Sequence, residues 1–267
     1  MKTSLISDQF KKYGIKPLKR LGQNFLIDES VLNKIIETAN LSVDDIVLEI
    51  GPGLGTLTIE LAKRVKKIIA IEKDKTLCQV LENILRTNKV FNVGIINKDV
   101  LQISNFKFLI SKQIPNPNYK LVANLPYYIT SPIIRKFLET ENPPKEMILM
   151  LQKEVAQRII AKPPHMNLLA ISVQFYSEPK IISYVSKNSF WPSPKVDSAI
   201  IKIIPKQIPE IDTKKFFALV KKGFSAKRKM LKNNLSGIDF EKIGLNPKIR
   251  AENLTIGDWL KIYETVQ

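Results

Sequence analysis

Short apolar runs alternate along the chain with stretches whose apolar positions recur every three or four residues. Ile46–Ile50, Ile68–Ile71, Gly94–Ile96, Lys120–Ala123 and Met147–Leu151 are rich in β-branched or other apolar residues and end at turn residues or charges. They read as strands buried on both faces. Between them, Thr56–Val65, Lys75–Leu85, Pro132–Leu138 and Lys153–Ala161 have the spacing of amphipathic helices. That alternation predicts an α/β fold built on a doubly wound, mainly parallel sheet.

Beyond Ala161 the pattern changes. Leu168–Tyr176 reads as a helix, and Lys180–Val185 and Ser198–Ile204 as two further strands, separated by the proline-rich Phe190–Asp197 and forming a long hairpin at the sheet edge. Pro205–Pro209 has the composition of a linker, and from Asp212 onward only helical patterns remain, with a start signal at Ser225. The expected division is one large domain over 1–205, with an N-terminal arm over 1–28, and a small helical domain over 206–267. No internal repeat or low-complexity tract interrupts either.

Composition narrows the chemistry. Among 267 residues there is one cysteine, Cys78, and one histidine, His165, so an internal disulfide, a Cys/His zinc site and a Ser-His-Asp triad are all unexpected. No metal is expected. Cys78 lies in the apolar stripe of a helix and reads as a buried cysteine; His165 follows two prolines and reads as a loop residue. No apolar run reaches the roughly 20 residues of a membrane span, and Met1–Arg20 lacks the apolar core of a signal peptide. A cytoplasmic protein is expected. The 42 basic against 25 acidic residues leave a net charge of +17, which calls for an acidic partner such as nucleic acid.

Candidate chemistry collects at the ends of the expected strands. Gly51, Gly53 and Gly55 lie in the turn between the first strand and the first helix, where glycine permits positive φ and close approach of a ligand to the backbone. Glu72, at the end of the second strand, is placed to accept hydrogen bonds from ribose hydroxyls. Because position 56 is Thr, the G-x-G-x-x-G spacing of dinucleotide folds is absent, which favours a ligand with a ribose but no pyrophosphate. Asp99, after the third strand, is placed to accept from an adenine amine, although an Asp there is more often a cap or turn residue. S-adenosylmethionine needs such a set.

Asn124-Leu125-Pro126-Tyr127 ends the fourth strand. The amine of adenine is a poor nucleophile because its lone pair is delocalised into the ring. The Asn124 side-chain oxygen and a backbone carbonyl of the turn can accept from that amine and favour a pyramidal nitrogen, while Pro126 fixes the turn and Tyr127 stacks on the base. Neither metal nor histidine is required.

In order along the chain, Lys19–Leu26 (KRLGQNFL), EIGPGLGTLT, Glu72, Asp99, NLPYYITSP, Leu151–Arg158 (LQKEVAQR), Phe190–Ser198 (FWPSPKVDS), Phe224–Leu235 (FSAKRKMLKNNL) and Arg250–Leu254 (RAENL) resemble the KsgA family of ribosomal RNA adenine dimethyltransferases. The resemblance runs from about Tyr13 onward. It implies a Rossmann-like sheet of the class I S-adenosylmethionine-dependent methyltransferases with a small all-helical C-terminal domain. It also implies dimethylation at N6 of two adjacent adenosines near the 3′ end of small-subunit ribosomal RNA, in immature small subunits, by a monomer. Position by position it assigns cofactor contacts to Asn24, Leu26, Gly51, Gly53, Glu72, Asp99 and Asn124, and places Val100 against the cofactor's adenine. Asn124, Pro126 and Tyr127 take the target-amine and base-holding roles, and Phe190 that of a second aromatic clamp, against a competing reading as a core aromatic. One departure is Pro163–Leu169, where the family commonly carries a Tyr-Gly segment.

The charge is uneven. Ile201–Leu235 holds ten basic and two acidic residues, a local net of +8. Lys221 and Lys222, together with Lys227, Arg228, Lys229 and Lys232 at the helix start expected after Ser225, form the expected grip on RNA phosphates. Other readings are a large-subunit ribosomal RNA methylase of the macrolide-resistance type, a non-catalytic RNA-binding assembly or transcription factor, and, less favoured, protein glutamine methylation. FSAKRKMLKNNL and RAENL favour the small-subunit assignment, and the joint presence of Glu72, Asp99 and Asn124 favours an enzyme.

Overall fold

The structure, a computed structural model, describes residues 3–18, 21–103, 118–226 and 228–266. Among the described residues nine strands form two sheets. β1 (Phe25–Leu26) and β8 (Phe190–Trp191) pair antiparallel, Leu26 opposite Phe190. The other seven are β2 (Ile46–Ile50), β3 (Lys67–Glu72), β4 (Val93–Asn97), β5 (Tyr119–Asn124), β6 (Met147–Gln152), β7 (Ser177–Val185) and β9 (Ser198–Pro205). They lie in the order β4-β3-β2-β5-β6-β9-β7. All five strands expected from the apolar runs are present and mutually parallel; β9 runs antiparallel to β6. The two late strands sit at the sheet edge, as the hairpin reading required.

Ten α-helices accompany the strands among the described residues: α1 (Thr3–Lys12), α2 (Glu29–Ala39), α3 (Thr56–Ala62), α4 (Lys75–Thr87), α5 (Thr130–Leu138), α6 (Lys153–Ile159), α7 (Leu168–Tyr176), α8 (Thr213–Gly223), α9 (Leu231–Asn234) and α10 (Ile256–Glu264). Their starts follow local chemistry. Asp28 caps α2 by accepting from the amides of Ser30 and Val31, and Asp74 caps α4 through those of Thr76 and Leu77. Along α4 the buried positions Leu77, Cys78, Leu81, Ile84 and Leu85 trace one stripe, so Cys78 is the buried helix cysteine expected. Burial pushes its thiol up to about 11. On one face of the sheet Val47, Ile68, Val122, Ile148 and Ile200 pack against Leu32, Ile35 and Ile36 of α2 and Leu57 and Leu61 of α3.

Two compact units result: Met1–Ala156 with Lys180–Pro205, and Gln157–Pro179 with Lys206–Gln267. One boundary falls after Pro205, and Gln157–Pro179, read from the sequence as part of the larger domain, clusters with the second unit. The reason is aromatic packing: Phe175 of α7 stacks on Phe216 of α8 at 4.8 Å, and Phe216 meets Tyr263 of α10 at 5.8 Å. In the same unit Phe224 stacks on Trp259 at 5.8 Å, and Gly223 is flush against the Trp259 ring. Ser225 is not a helix start. It lies in the turn after α8, and α9 begins six residues later behind Met230, with no side-chain cap.

One buried lysine ties the strand entries together. Lys120 Nζ donates to the carbonyls of Ala39 (2.9 Å) and Asn40 (2.7 Å) and pairs with Asp45 and Glu146, both at 3.1 Å. Glu146 also pairs with Lys202, which therefore belongs to this cluster in the sheet unit and not to a free basic patch. Removing one member of a buried charge cluster leaves the others uncompensated. Lys120→Ala should therefore cost about 3 kcal/mol of unfolding free energy, read as a lower midpoint in urea.

Candidate active site

Strand order fixes where a ligand fits. The chain proceeds from β2 outward through β3 to β4, then returns to the other side of β2 as β5, so β2 and β5 are the point at which winding reverses. A crevice opens at the carboxyl ends of such a pair. The register brings Ile50 level with Ile71, and Glu72 level with Asn97. A cleft lies there, lined by the turns after β2, β3 and β5, by Asp99 and Val100, and by the arm from Leu21 to Leu26.

The glycine turn is demanded by packing. Gly53 has φ of +58°, and a Cβ on it would come within 2.9 Å of the Phe25 ring; Gly55, at φ +81°, would place one 2.5 Å from Leu81. These positions admit no other side chain without displacement of a neighbour. Glu72 reaches across from β3: its Oε2 accepts from the Gly53 amide at 3.3 Å and its Oε1 from the Asp74 amide at 2.8 Å. Burial raises its pKa, against the pull of these two amides. Asp99 is doubly engaged. Oδ1 accepts from the Leu101 amide at 3.0 Å, closing a 3-10 turn, and Oδ2 pairs with Lys73 at 2.8 Å. Partial burial opposes ionisation there, but the Lys73 ammonium and the Leu101 amide outweigh it and hold the carboxyl below its ordinary value. The cap and turn role weighed for Asp99 is thus present, on the rim of the same cleft.

A residue without an assigned role in the sequence joins them. Glu49, in β2, is 1% exposed, lines the cleft, and has no hydrogen-bond partner at Oε2. Burial pushes its pKa up to about 8, with the neighbouring Glu72 acting in the same direction. The signal was an acidic residue inside the apolar run IVLEI, where a strand buried on both faces has no place for a carboxylate.

The Asn124 turn is anchored from two sides. Asn124 Nδ2 donates to the Asn24 carbonyl at 3.1 Å, while Asn24 Nδ2 donates to the Gly22 carbonyl at 3.1 Å. The amide group is thereby oriented with Oδ1 left to accept. Tyr127 Oη shares a 2.8 Å hydrogen bond with Ser198 Oγ, and burial raises the phenol pKa. Ser198, the last residue of FWPSPKVDS and fully buried, is thus a positioning residue that sequence reasoning did not single out.

The structure gathers Asn24, Leu26, Gly51, Gly53, Glu72, Asp99, Val100, Asn124, Pro126 and Tyr127 around one cleft. It does not bring Phe190 there. That ring is 3% exposed and belongs to the core cluster with Leu26 and Ile200, because β8 pairs with β1 and turns the side chain inward. The core reading of Phe190 replaces the clamp. Lys221, Lys222, Arg228, Lys229 and Lys232 are exposed in the second unit. The backbone expected to join them is different: Lys221 and Lys222 end α8, and Arg228 and Lys229 lie in the turn that follows. Lys227 lies outside the described residues, as do Lys19 and Arg20 of KRLGQNFL. His165 is exposed at a bend. Among the described residues no group of His, Cys, Asp or Glu is arranged to hold a metal, and no helix is long and apolar enough to cross a membrane.

A Rossmann-like sheet with a glycine turn, a carboxylate after its second strand and an Asn-x-Pro-Tyr turn at its reversal point has the architecture of a methyltransferase. Residues 15–267 match the family model for ribosomal RNA adenine dimethylase. The chain belongs to that family. It is 44% identical over 269 residues to ribosomal RNA small subunit methyltransferase A of Clostridium botulinum (strain Okra / Type B1), covering 96% of each chain. It is 42% identical over 271 residues to the protein of that name from Dehalococcoides mccartyi (strain CBDB1), covering 96% of this chain and 90% of the relative. Among solved structures it resembles a dimethyladenosine transferase from Plasmodium falciparum, with TM-score 0.77, 27% identity, and coverage of 90% of this chain and 96% of that one. It also resembles the 23S rRNA methyltransferase ErmE, with TM-score 0.72, 26% identity, and coverage of 90% and 98%.

The protonation of Glu49 links the cleft to stability. With its pKa raised from 4.5 to about 8 by burial, the folded chain retains a proton across that interval which the unfolded chain has released. Its contribution is therefore full below the unfolded pKa and drains away as pH rises through the folded one. In thermal melts without ligand, the decline in melting temperature between pH 5 and 8.5 should be shallower for Glu49→Gln than for the wild type.

Proposed function

We propose that the protein transfers methyl groups from S-adenosylmethionine to N6 of two adjacent adenosines near the 3′ end of small-subunit ribosomal RNA, leaving both dimethylated. The observation that carries this reading is the Asn24–Asn124 hydrogen bond, which presents an amide oxygen at the point where the glycine turn, Glu72 and the base-holding Tyr127 converge. The residues suit the cofactor. Gly51 and Gly53 admit a ligand against the backbone, Glu72 accepts from ribose hydroxyls, and the unpartnered Oε2 of Glu49 suits a cationic ligand. When bound, S-adenosylmethionine supplies an activated methyl on a sulfonium.

The chain's own part is positioning. Asn124 Oδ1 and a carbonyl of the turn accept from the target amine, directing the nitrogen lone pair away from the ring. Tyr127, held by Ser198, supplies a face for the base once it has left its stack, which costs a few kcal/mol. Val100, buried beside Asp99, supplies an apolar wall for the cofactor's adenine. The exposed Lys221, Lys222, Arg228, Lys229 and Lys232 contact RNA phosphates, together with Lys227. The protein works as a cytoplasmic monomer on immature small subunits, with Met1–Ala156 and Lys180–Pro205 as the catalytic unit and Gln157–Pro179 and Lys206–Gln267 as the RNA-binding unit.

The likeness to ErmE supports a second reading, methylation of large-subunit RNA. Identity of 42–44% to relatives named small subunit methyltransferase A, against 26% to ErmE, favours the first. Mass spectrometry of both ribosomal RNAs after incubation separates the two: two adjacent dimethyladenosines in small-subunit RNA are expected, and methylation only in large-subunit RNA, or in neither, overturns the proposal. Asn124→Ala should lower kcat by about 10²-fold or more, the scale of losing one positioned hydrogen-bonding group in a transition state. RNA binding in a filter assay should be unchanged.

A further inference from the structure

Tyr128 is an aromatic residue left without a burial partner. It follows Tyr127 in the 3-10 turn Tyr127–Ile129, where successive side chains diverge by about 120°. Tyr127 is directed to Ser198, whereas Tyr128 leans on Gly22, with its ring atoms 3.5–3.8 Å from where a Gly22 Cβ would stand, and remains 52% exposed. There it walls a shallow hollow on the outer rim of the cleft, with Leu18, Leu21, Lys73, Asp74 and Lys75. Tyr128, Leu21 and Lys73 line the main cleft as well, so hollow and cleft are continuous.

The charges of the hollow favour an anion. The Asp74 carboxylate is turned to the amides of Thr76 and Leu77 and to Gln23, while the Lys75 side chain stands exposed. Two leucines, one open ring and an exposed lysine suit a nucleotide, with its base against the ring and its phosphate at the lysine. Extruding one adenosine leaves its neighbour without a stacking partner. We propose that the hollow of Tyr128 and Lys75 holds the nucleotide adjoining the target adenosine, the Tyr128 ring replacing the stack that the extruded base vacates.

The proposal rests on the RNA-methylating function argued above, and its test distinguishes the two failures. A single-stranded oligoribonucleotide with two adjacent adenosines carries 2-aminopurine on the 5′ side in one version and the 3′ side in the other. Bound to the full chain, one of the two should show quenched fluorescence, retained by Tyr128→Phe and lost in Tyr128→Ala. On immature small subunits, Tyr128→Ala should raise the KM for RNA about tenfold to a hundredfold, the range of one base–aromatic stack. The KM for S-adenosylmethionine and the melting temperature should stay as in the wild type. Lys75→Ala should flatten the dependence of log KM on log salt by about 0.7, the increment of one phosphate contact on a single strand. Quenching in neither version, an unchanged KM for RNA in Tyr128→Ala, or a parallel rise in the KM for S-adenosylmethionine overturns the stack, and an unchanged salt slope overturns the phosphate contact. Absence of methylation by the wild type, with quenching intact, instead defeats the functional reading and leaves the hollow as an RNA-binding site.

Discussion

Parallel pairing of β2 with both β3 and β5 is the constraint from which the cleft follows. Because β2 lies inside the sheet, the turn at its carboxyl end has a neighbour on each side: Glu72 from β3, bonded to the Gly53 amide, and the Asn124 turn from β5. Moving β5 by one register position would turn Asn124 to the other face of the sheet. Lys120, in β5, holds the opposite end through the carbonyls at the end of α2 and through Asp45 and Glu146. The register that aligns the rim of the cleft is thus clamped at the far end of the same strands.

The cleft is electrostatically distinct from the rest of the chain. The protein carries +17 overall, yet Glu49, just before the glycine turn, and Glu72, bonded to its Gly53 amide, lie buried, and burial raises both pKa values. Burial and the neighbouring Glu72 together favour the protonated form of Glu49.

The second unit shows how aromatic packing sets a domain boundary. Phe175, Phe216, Tyr263, Phe224 and Trp259 join helices from two separate stretches of chain, so α7 belongs with the C-terminal helices although the sheet resumes after it. Of the exposed basic residues there, Lys221 and Lys222 end α8, Arg228 and Lys229 lie in the turn that follows, and Lys232 lies in the short α9. Their arrangement is that of separate side chains on a surface, without a capped helix start behind them.

Period and residue type are local properties, and whatever depends on them alone was legible in the sequence. The five parallel strands, most helices, the buried Cys78, the glycine turn, and Glu72, Asp99 and Asn124 at strand ends all follow from runs of a few residues, because a parallel strand buried on both faces must be apolar and must end in polar turns. What depended on partners distant in the chain was not. Phe190 turned inward because β8 pairs with β1, some 165 positions away. Gln157–Pro179 joined the second unit through rings contributed by α8 and α10. Asn124 was oriented by a carbonyl 100 positions earlier, and Tyr127 by a hydroxyl 71 positions later. Glu49 stood in plain view as a carboxylate within an apolar run, but only the folded sheet decided that its oxygen would face a cleft without a partner. Pairing across such separations is set by strand order and side-chain packing, and neither leaves a periodic trace in the residues that take part.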